Sequence, residues 1–240
     1  MPETVREIPY ELDEEIRSEI EQAVQRLVTE DDTPVDNLFS AKQQTLLKRA
    51  LYSSWRPAPV GEQPPGQRRL FLADANIAVY FGLNRPPLVP DFFLSLDVQP
   101  HEDWYEKRHR SYFVWEFGKA PDVVLEIVSN REGSELAHKL ADYAQMGARY
   151  YVVYDPTRRL GEEQLYVHEL EALHYRRRAD AMLPELGLGL TLWEGVFEDK
   201  TDTWLRWTDG AGRLLPTGEE RAARLAARLR EMGIDPDEQI

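Results

Sequence analysis

The sequence predicts an α/β fold, a mixed β-sheet flanked by helices with a helical appendage at each end. Three observations predict it. Residues 121–156, PDVVLEIVSNREGSELAHKLADYAQMGARYYVVYDP, read in succession as strand, turn, helix and strand. Short runs with strand character stand on either side of that unit. Both ends of the chain carry apolar residues at helical spacing.

At the N-terminus, Leu12, Ile16, Ile20, Val24 and Leu27 recur every three or four residues, with Glu and Asp on the remaining faces. This spacing predicts one amphipathic, acidic helix within residues 1–36, ending before Asp31-Asp32-Thr33-Pro34. The helix either docks on the core with its acidic face in water, or mimics nucleic acid or shields a basic groove. A second helix over residues 39–55 sets Leu46, Leu47, Ala50 and Leu51 on one side. Residues 57–66 are rich in Pro and Gly and form a loop.

Strands are expected over residues 70–81, 88–96, 111–117, 121–129 and 149–154. The polar connection 97–110 contains His101 and His109. No partner stands at metal-ligand spacing from either, so neither is assigned a metal. Residues 164–170 and 172–178 form a hairpin, and strands over 187–196 and 203–208 complete the sheet, with Trp193, Trp204 and Trp207 as packing residues. Thr217 followed by Glu219 and Glu220 starts a last helix, which Gly233 ends. Its stripe, Ala222, Leu225, Ala226 and Leu229, is a candidate for self-association. The chain divides into an acidic helix over 1–36, one α/β domain over 37–210 and a C-terminal helix over 211–240.

The chemistry sits in the central unit. Glu126 interrupts the apolar run Val123-Val124-Leu125 and Ile127-Val128. An acidic side chain there is costly unless something binds it. Because side chains alternate along a strand, Asp122, Val124, Glu126 and Val128 share one face. Asp122 lies roughly 13 Å from Glu126 at about 3.3 Å per residue, too far to share an ion with it. Asp91, which follows Pro90 and arrives on a neighbouring strand about 5 Å away, is close enough. The following helix opens with Ser134 as N-cap and ends near Gly147, with Leu136, Leu140, Tyr143 and Ala144 as its buried stripe. Lys139 falls about 60° from Leu136 at about 100° per residue, so it flanks the stripe and reaches across the sheet on its long stem. Tyr143 reads as a packing residue first and a hydrogen-bonding one second. Two carboxylates and a lysine over one sheet edge suit metal-dependent cleavage of a phosphodiester, with Asp91, Glu126 and Lys139 catalytic and Asp91 and Glu126 as metal ligands. The plain alternatives are a turn residue for Asp91, a buried salt bridge for Glu126 and a snorkelling lysine for Lys139.

Pro90-Asp91, the run from Pro121 to Ser129, Lys139, Tyr143-Ala144, Gly147 and the run from Tyr150 to Pro156 together resemble the Uma-type putative restriction endonuclease family of the PD-(D/E)XK nuclease superfamily. The resemblance covers roughly residues 40–195. It implies a restriction-endonuclease-like mixed sheet and a divalent metal, usually Mg²⁺ with Mn²⁺ as substitute, held by Asp91 and Glu126. The superfamily pattern puts a lysine two residues after the glutamate, where this chain has Val128, and Lys139 matches a lysine moved to the following helix. Some relatives also place an acid on the first core helix, where this chain has Gln43 and Gln44.

Composition bounds this reading. The chain has 240 residues, no cysteine and a net charge of −14. Disulfides, zinc-thiolate sites and thiol catalysis are therefore excluded. Residues 1–36 hold twelve acidic and three basic side chains, or −9, which leaves −5 for the rest. Basic clusters at Lys107, Arg108 and Arg110, at Arg158 and Arg159, and at Arg176, Arg177 and Arg178 are candidates for tracking a phosphate backbone, or else solvated rims. With no apolar stretch of membrane-spanning length and no signal peptide, a cytoplasmic protein is expected. The reading is an Mg²⁺-dependent endonuclease acting on DNA, as a homodimer that cuts both strands. Its rival is a catalytically silent descendant that binds nucleic acid or protein, which the acidity and the glutamines at 43 and 44 favour.

Overall fold

The computed structural model describes residues 18–19, 22–23, 37–59, 69–129 and 133–236. Chain order within them is α1 (Leu38–Ser54), β1 (Phe71–Asp74), β2 (Val79–Tyr80), β3 (Phe92–Leu96), β4 (Tyr112–Phe113), α2 (Val114–Phe117), β5 (Val123–Ile127), α3 (Gly133–Met146), β6 (Tyr150–Tyr154), β7 (Leu165–Glu171), β8 (His174–Arg177), β9 (Met182–Leu183), β10 (Leu188–Phe197), β11 (Lys200–Asp209) and α4 (Gly218–Glu231). Turns of 3₁₀ helix stand at Lys107–His109 and Pro184–Leu186. The expected acidic helix lies largely outside the described residues, of which 18–19 and 22–23 are helical.

The run Val123–Ile127 is buried on both faces, and this makes it a central strand. The main sheet has the order β1-β3-β5-β6-β7-β8. β5 and β6 are parallel, joined through α3 as a βαβ unit, while β3 pairs antiparallel on the other side of β5. Alternation along β5 divides the core as the sequence predicts. Val123, Leu125 and Ile127 pack with Leu47, Ala50 and Leu51 of α1. Val124 and Val128 pack with Tyr143 and Met146 of α3.

Three expectations are corrected. The run 70–81 is two strands, because Asn76 adopts a left-handed conformation (φ 54°) between them. The run 111–117 holds only the short β4, then turns into the helical α2, which ends on Gly118 at φ 74°. The last strands do not complete the main sheet. β10 and β11 form a hairpin across Glu198 and Asp199, both at positive φ (45° and 62°), and with β9 they make a separate three-stranded sheet. Leu188, Leu190, Leu205 and Trp207 of this second sheet bury against the α1 side of the main one. The main sheet instead ends at β8, whose exposed arginines blunt its edge.

α1 starts at Asn37, whose side chain accepts the Ser40 N–H at 3.0 Å. Gln43, fully buried, bonds both backbone groups of Leu205 through its amide, at 2.8 and 2.9 Å. Gln44 pairs with Asn76. The two glutamines therefore hold α1 to the rest of the fold. Ser134 is the second residue of α3, not its cap, whereas Gly147 ends that helix at φ 91° as expected. α4 carries a capping box between Thr217 and Glu220. Glu220 also takes a two-pronged ion pair from the buried Arg206, at 2.6 and 2.7 Å. In the apolar stripe of α4, Ala222 and Leu225 are exposed, Leu225 at 62%, while Ala226 and Leu229 are half-buried. Trp204 and Trp207 are buried, and Trp193 lies beneath the Arg206 guanidinium.

Candidate active site

Glu126 points from the central strand into the α3 side of the core and is only 4% exposed. Burial of a carboxylate requires partners, and α3 supplies two. Lys139 Nζ donates to one oxygen at 2.9 Å, and the Tyr143 hydroxyl donates to the other at 2.6 Å. Lys139 and Tyr143 are four residues apart on one helix face, so α3 presents both to the same acid. Tyr143 is buried, and burial first, then the charge and hydrogen bond of Glu126, hold its phenol well above the usual range. It therefore remains a donor at any working pH. The sequence placed Tyr143 in the packing stripe; its hydroxyl is also a direct partner of the acid.

Asp91 reaches the same place from β3. The antiparallel register pairs Phe92 with Leu125 and Phe93 with Val124, so one step further Asp91 stands opposite Glu126. Its Oδ2 accepts the Ile127 N–H at 2.5 Å. Asp122 does the corresponding task at the other end of the strand pair. It accepts the Leu96 N–H at 2.7 Å and pairs with Lys119. Asp122 thus stays apart from Glu126, and Asp91 does not.

The donor set suits a hard divalent cation. Two carboxylates from neighbouring strands offer oxygen ligands of the kind Mg²⁺ and Mn²⁺ prefer. The chemistry of the donors, two carboxylates on paired strands, fits such an ion.

The arginines at 176–178 do not converge here. Arg176, Arg177 and Arg178 stand at or just beyond β8, three strands from β5, and pair with Glu171, Glu163, and Glu169 with Asp180. Arg108 pairs with Glu106. The histidines give a different result from that expected. His101, His109 and Glu116 bring ligand atoms within 4.8 Å of one another. Sequence reading missed Glu116 because it took residues 111–117 for a strand, whereas α2 is a helical turn.

The model of the Uma2 family, described as putative restriction endonuclease, matches residues 32–193, more than half of the chain. Among solved structures, one similar chain is a putative nuclease belonging to DUF820 from Anabaena variabilis ATCC 29413, with 16% identity and a TM-score of 0.39. That match covers 63% of this chain and 74% of the other. No curated protein matches this chain. No helix among the described residues is long and apolar enough to cross a membrane.

Proposed function

The chain belongs to the Uma2 family of putative restriction endonucleases, and on that premise we propose that it is a metal-dependent endonuclease cutting the phosphodiester backbone of DNA. What supports the reading is the Lys139–Glu126 contact at 2.9 Å, together with a strand register that, carried one step on, sets Asp91 opposite Glu126, where it accepts the Ile127 N–H. Asp91 and Glu126 would hold Mg²⁺, or Mn²⁺ in its place. The ion, when bound, supplies charge neutralisation at the phosphate and a lowered pKa for water.

The rest falls to the chain itself. Lys139, about one-third exposed at its side chain and paired with Glu126, is tethered by the acid and open to solvent on the other side. From there its ammonium donates to a phosphate oxygen and offsets negative charge that grows in the transition state. Tyr143 keeps one Glu126 oxygen oriented through its hydrogen bond. The Ile127 N–H does the same for Asp91. Both carboxylates are thus held before substrate arrives, which lowers the cost of organising them during reaction. Cutting both strands would require a second copy of the chain, and we take the acting form to be a homodimer in the cytoplasm.

The test is incubation of the purified chain with supercoiled plasmid, single-stranded DNA and RNA, in Mg²⁺ or Mn²⁺ and in EDTA. Cleavage of DNA in either metal and none in EDTA is expected. No cleavage of any substrate, with no Mg²⁺ or Mn²⁺ bound by calorimetry, would favour a silent binding module. The closed pairing of Glu126 with Lys139 and Tyr143 is the observation on that side.

A further inference from the structure

A second cluster of metal-ligating side chains stands apart from the carboxylates. His101 and His109 lie in the connection between β3 and β4, and Glu116 lies in α2. One ligand atom from each falls within 4.8 Å of the others. The group of ligand atoms that lie this close includes neither Asp91 nor Glu126.

We propose that His101, His109 and Glu116 bind a single Zn²⁺, which fastens the 97–111 connection to α2. Two imidazoles and one carboxylate are a zinc donor set, with water as fourth ligand, and imidazole disfavours Mg²⁺ relative to zinc and other late transition metals.

Two details support the assignment. His109 Nδ1 lies 2.5 Å from the Asp103 carbonyl oxygen. A carbonyl accepts, so Nδ1 carries the proton and Nε2 carries the lone pair. A backbone carbonyl holding the far nitrogen of a histidine is the usual outer support of a metal-binding imidazole. His101 supplies the second detail. Its Nε2 is buried and has no hydrogen-bond partner among the described residues. A buried nitrogen without a partner calls for a proton donor or an ion. The two rings also border the cavity of about 60 Å³ beneath Trp104, against Phe93 and Phe117.

Binding needs a modest rearrangement. Ligand atoms around tetrahedral zinc stand roughly 3.4 Å apart, given bonds of about 2.0–2.1 Å. The atoms here must close from as much as 4.8 Å. The imidazoles are stacked, with centroids 3.9 Å apart and planes at 12°, so their lone pairs lie in nearly parallel planes. Zinc would splay the stack by rotating both side chains. All three residues are only partly buried, which leaves room for this. Nearby cations are largely engaged. Arg108 pairs with Glu106, and Arg110 donates to the Tyr105 carbonyl.

The proposal does not depend on the nuclease reading, and its test uses zinc alone. The full chain is titrated with ZnCl₂ by calorimetry, and with CoCl₂ while the visible absorption of tetrahedral cobalt is recorded. Native protein and Glu126→Gln should each bind one equivalent tightly, with a visible cobalt band. His109→Ala and Glu116→Gln should weaken zinc at least ~100-fold, since even outer-shell changes cost ~10–100-fold. Both variants should also lose the cobalt band while unfolding cooperatively in urea. Because they lie on different elements, a folding defect in one leaves the other decisive. Equal zinc affinity in native and both variants would overturn the proposal and assign the ion to the acidic surface. Loss of zinc in Glu126→Gln alone would overturn it in favour of the carboxylate site, and no binding by native protein would overturn it outright.

Discussion

The Tyr143 hydroxyl donates to Glu126 Oε1 at 2.6 Å, from one helical turn beyond the lysine that binds Oε2. A central strand can carry an ionised acid because α3 brings it two donors at once. The arrangement links packing to the proposed chemistry, since the stripe that seals α3 to the sheet also orients the carboxylate assigned to the metal in our proposal.

Tyr143→Phe keeps the ring and removes that donor. The Glu126 carboxylate loses a donor that orients it, so the rate of DNA cleavage should fall. Stability should fall by about 1–3 kcal/mol, the cost of leaving a buried acceptor short of a donor. Cleavage rates and urea unfolding of the same samples check both.

Lys139→Met should separate binding from turnover. The ammonium competes with any cation for Glu126, so removing it should leave Mg²⁺ affinity equal or tighter in calorimetry. Cleavage should nevertheless fall at least ~100-fold, on the order of losing one preorganised donor to transition-state charge. Weaker Mg²⁺ binding together with an undiminished rate would count against the assigned role.

Gln43 illustrates what the first helix does in this chain. Its amide satisfies the N–H and the carbonyl of Leu205 inside the core. Gln43→Ala should orphan both groups and cost about 2–4 kcal/mol, read as a lower urea midpoint with unchanged m-value. Restoring an acid there, as Gln43→Glu, should be no better, because the Leu205 carbonyl would face a carboxylate.

The Arg206–Glu220 pair predicts an acid-dependent loss of stability. Burial on its own would raise the Glu220 pKa, but hydrogen bonds from Arg206 and the Thr217 backbone, with the charges of Arg206 and Arg224, outweigh it and hold it below the usual carboxylate value. A depressed folded-state pKa adds stability that is present above the unfolded value and lost as pH falls through the folded one. Glu220→Gln should therefore flatten the decline in unfolding midpoint below about pH 4.5. Arg206→Met should destabilise at pH 7 by about 2–3 kcal/mol, less than the ~3–5 kcal/mol of a fully buried pair because Glu220 is partly exposed.

Strand alternation and helical spacing were enough to place Glu126 on the α3 face, to separate it from Asp122 and to set Lys139 within reach. These follow from fixed periods of the backbone, which sequence displays directly. Asp91 depended on register, and register is set by pairing between distant segments; the sequence supplied a neighbouring strand but not the step that puts Asp91 opposite Glu126. What misled was local composition. The aromatic run from Tyr112 to Phe117 has strand character, yet the chain turns helical at Val114 and stops at Gly118, and this turn carries Glu116 to the histidines. The β10–β11 hairpin was hidden because Glu198-Asp199 lacks the glycine that usually marks a two-residue turn with positive φ. Neither error touched Asp91 and Glu126, which rest on the β3–β5 pair.

The central claim is that Asp91, Glu126 and Lys139 act as one metal-dependent site, and the most direct measurement is the rate of supercoiled-plasmid nicking in saturating Mg²⁺ for native protein beside Asp91→Asn and Glu126→Gln. Both substitutions preserve shape, and urea unfolding establishes that each variant is folded. The account predicts nicking by native protein that stops in EDTA, and a fall of at least ~100-fold in each variant. Native protein that nicks DNA at a rate neither substitution changes would contradict it and move the chemistry elsewhere on the chain.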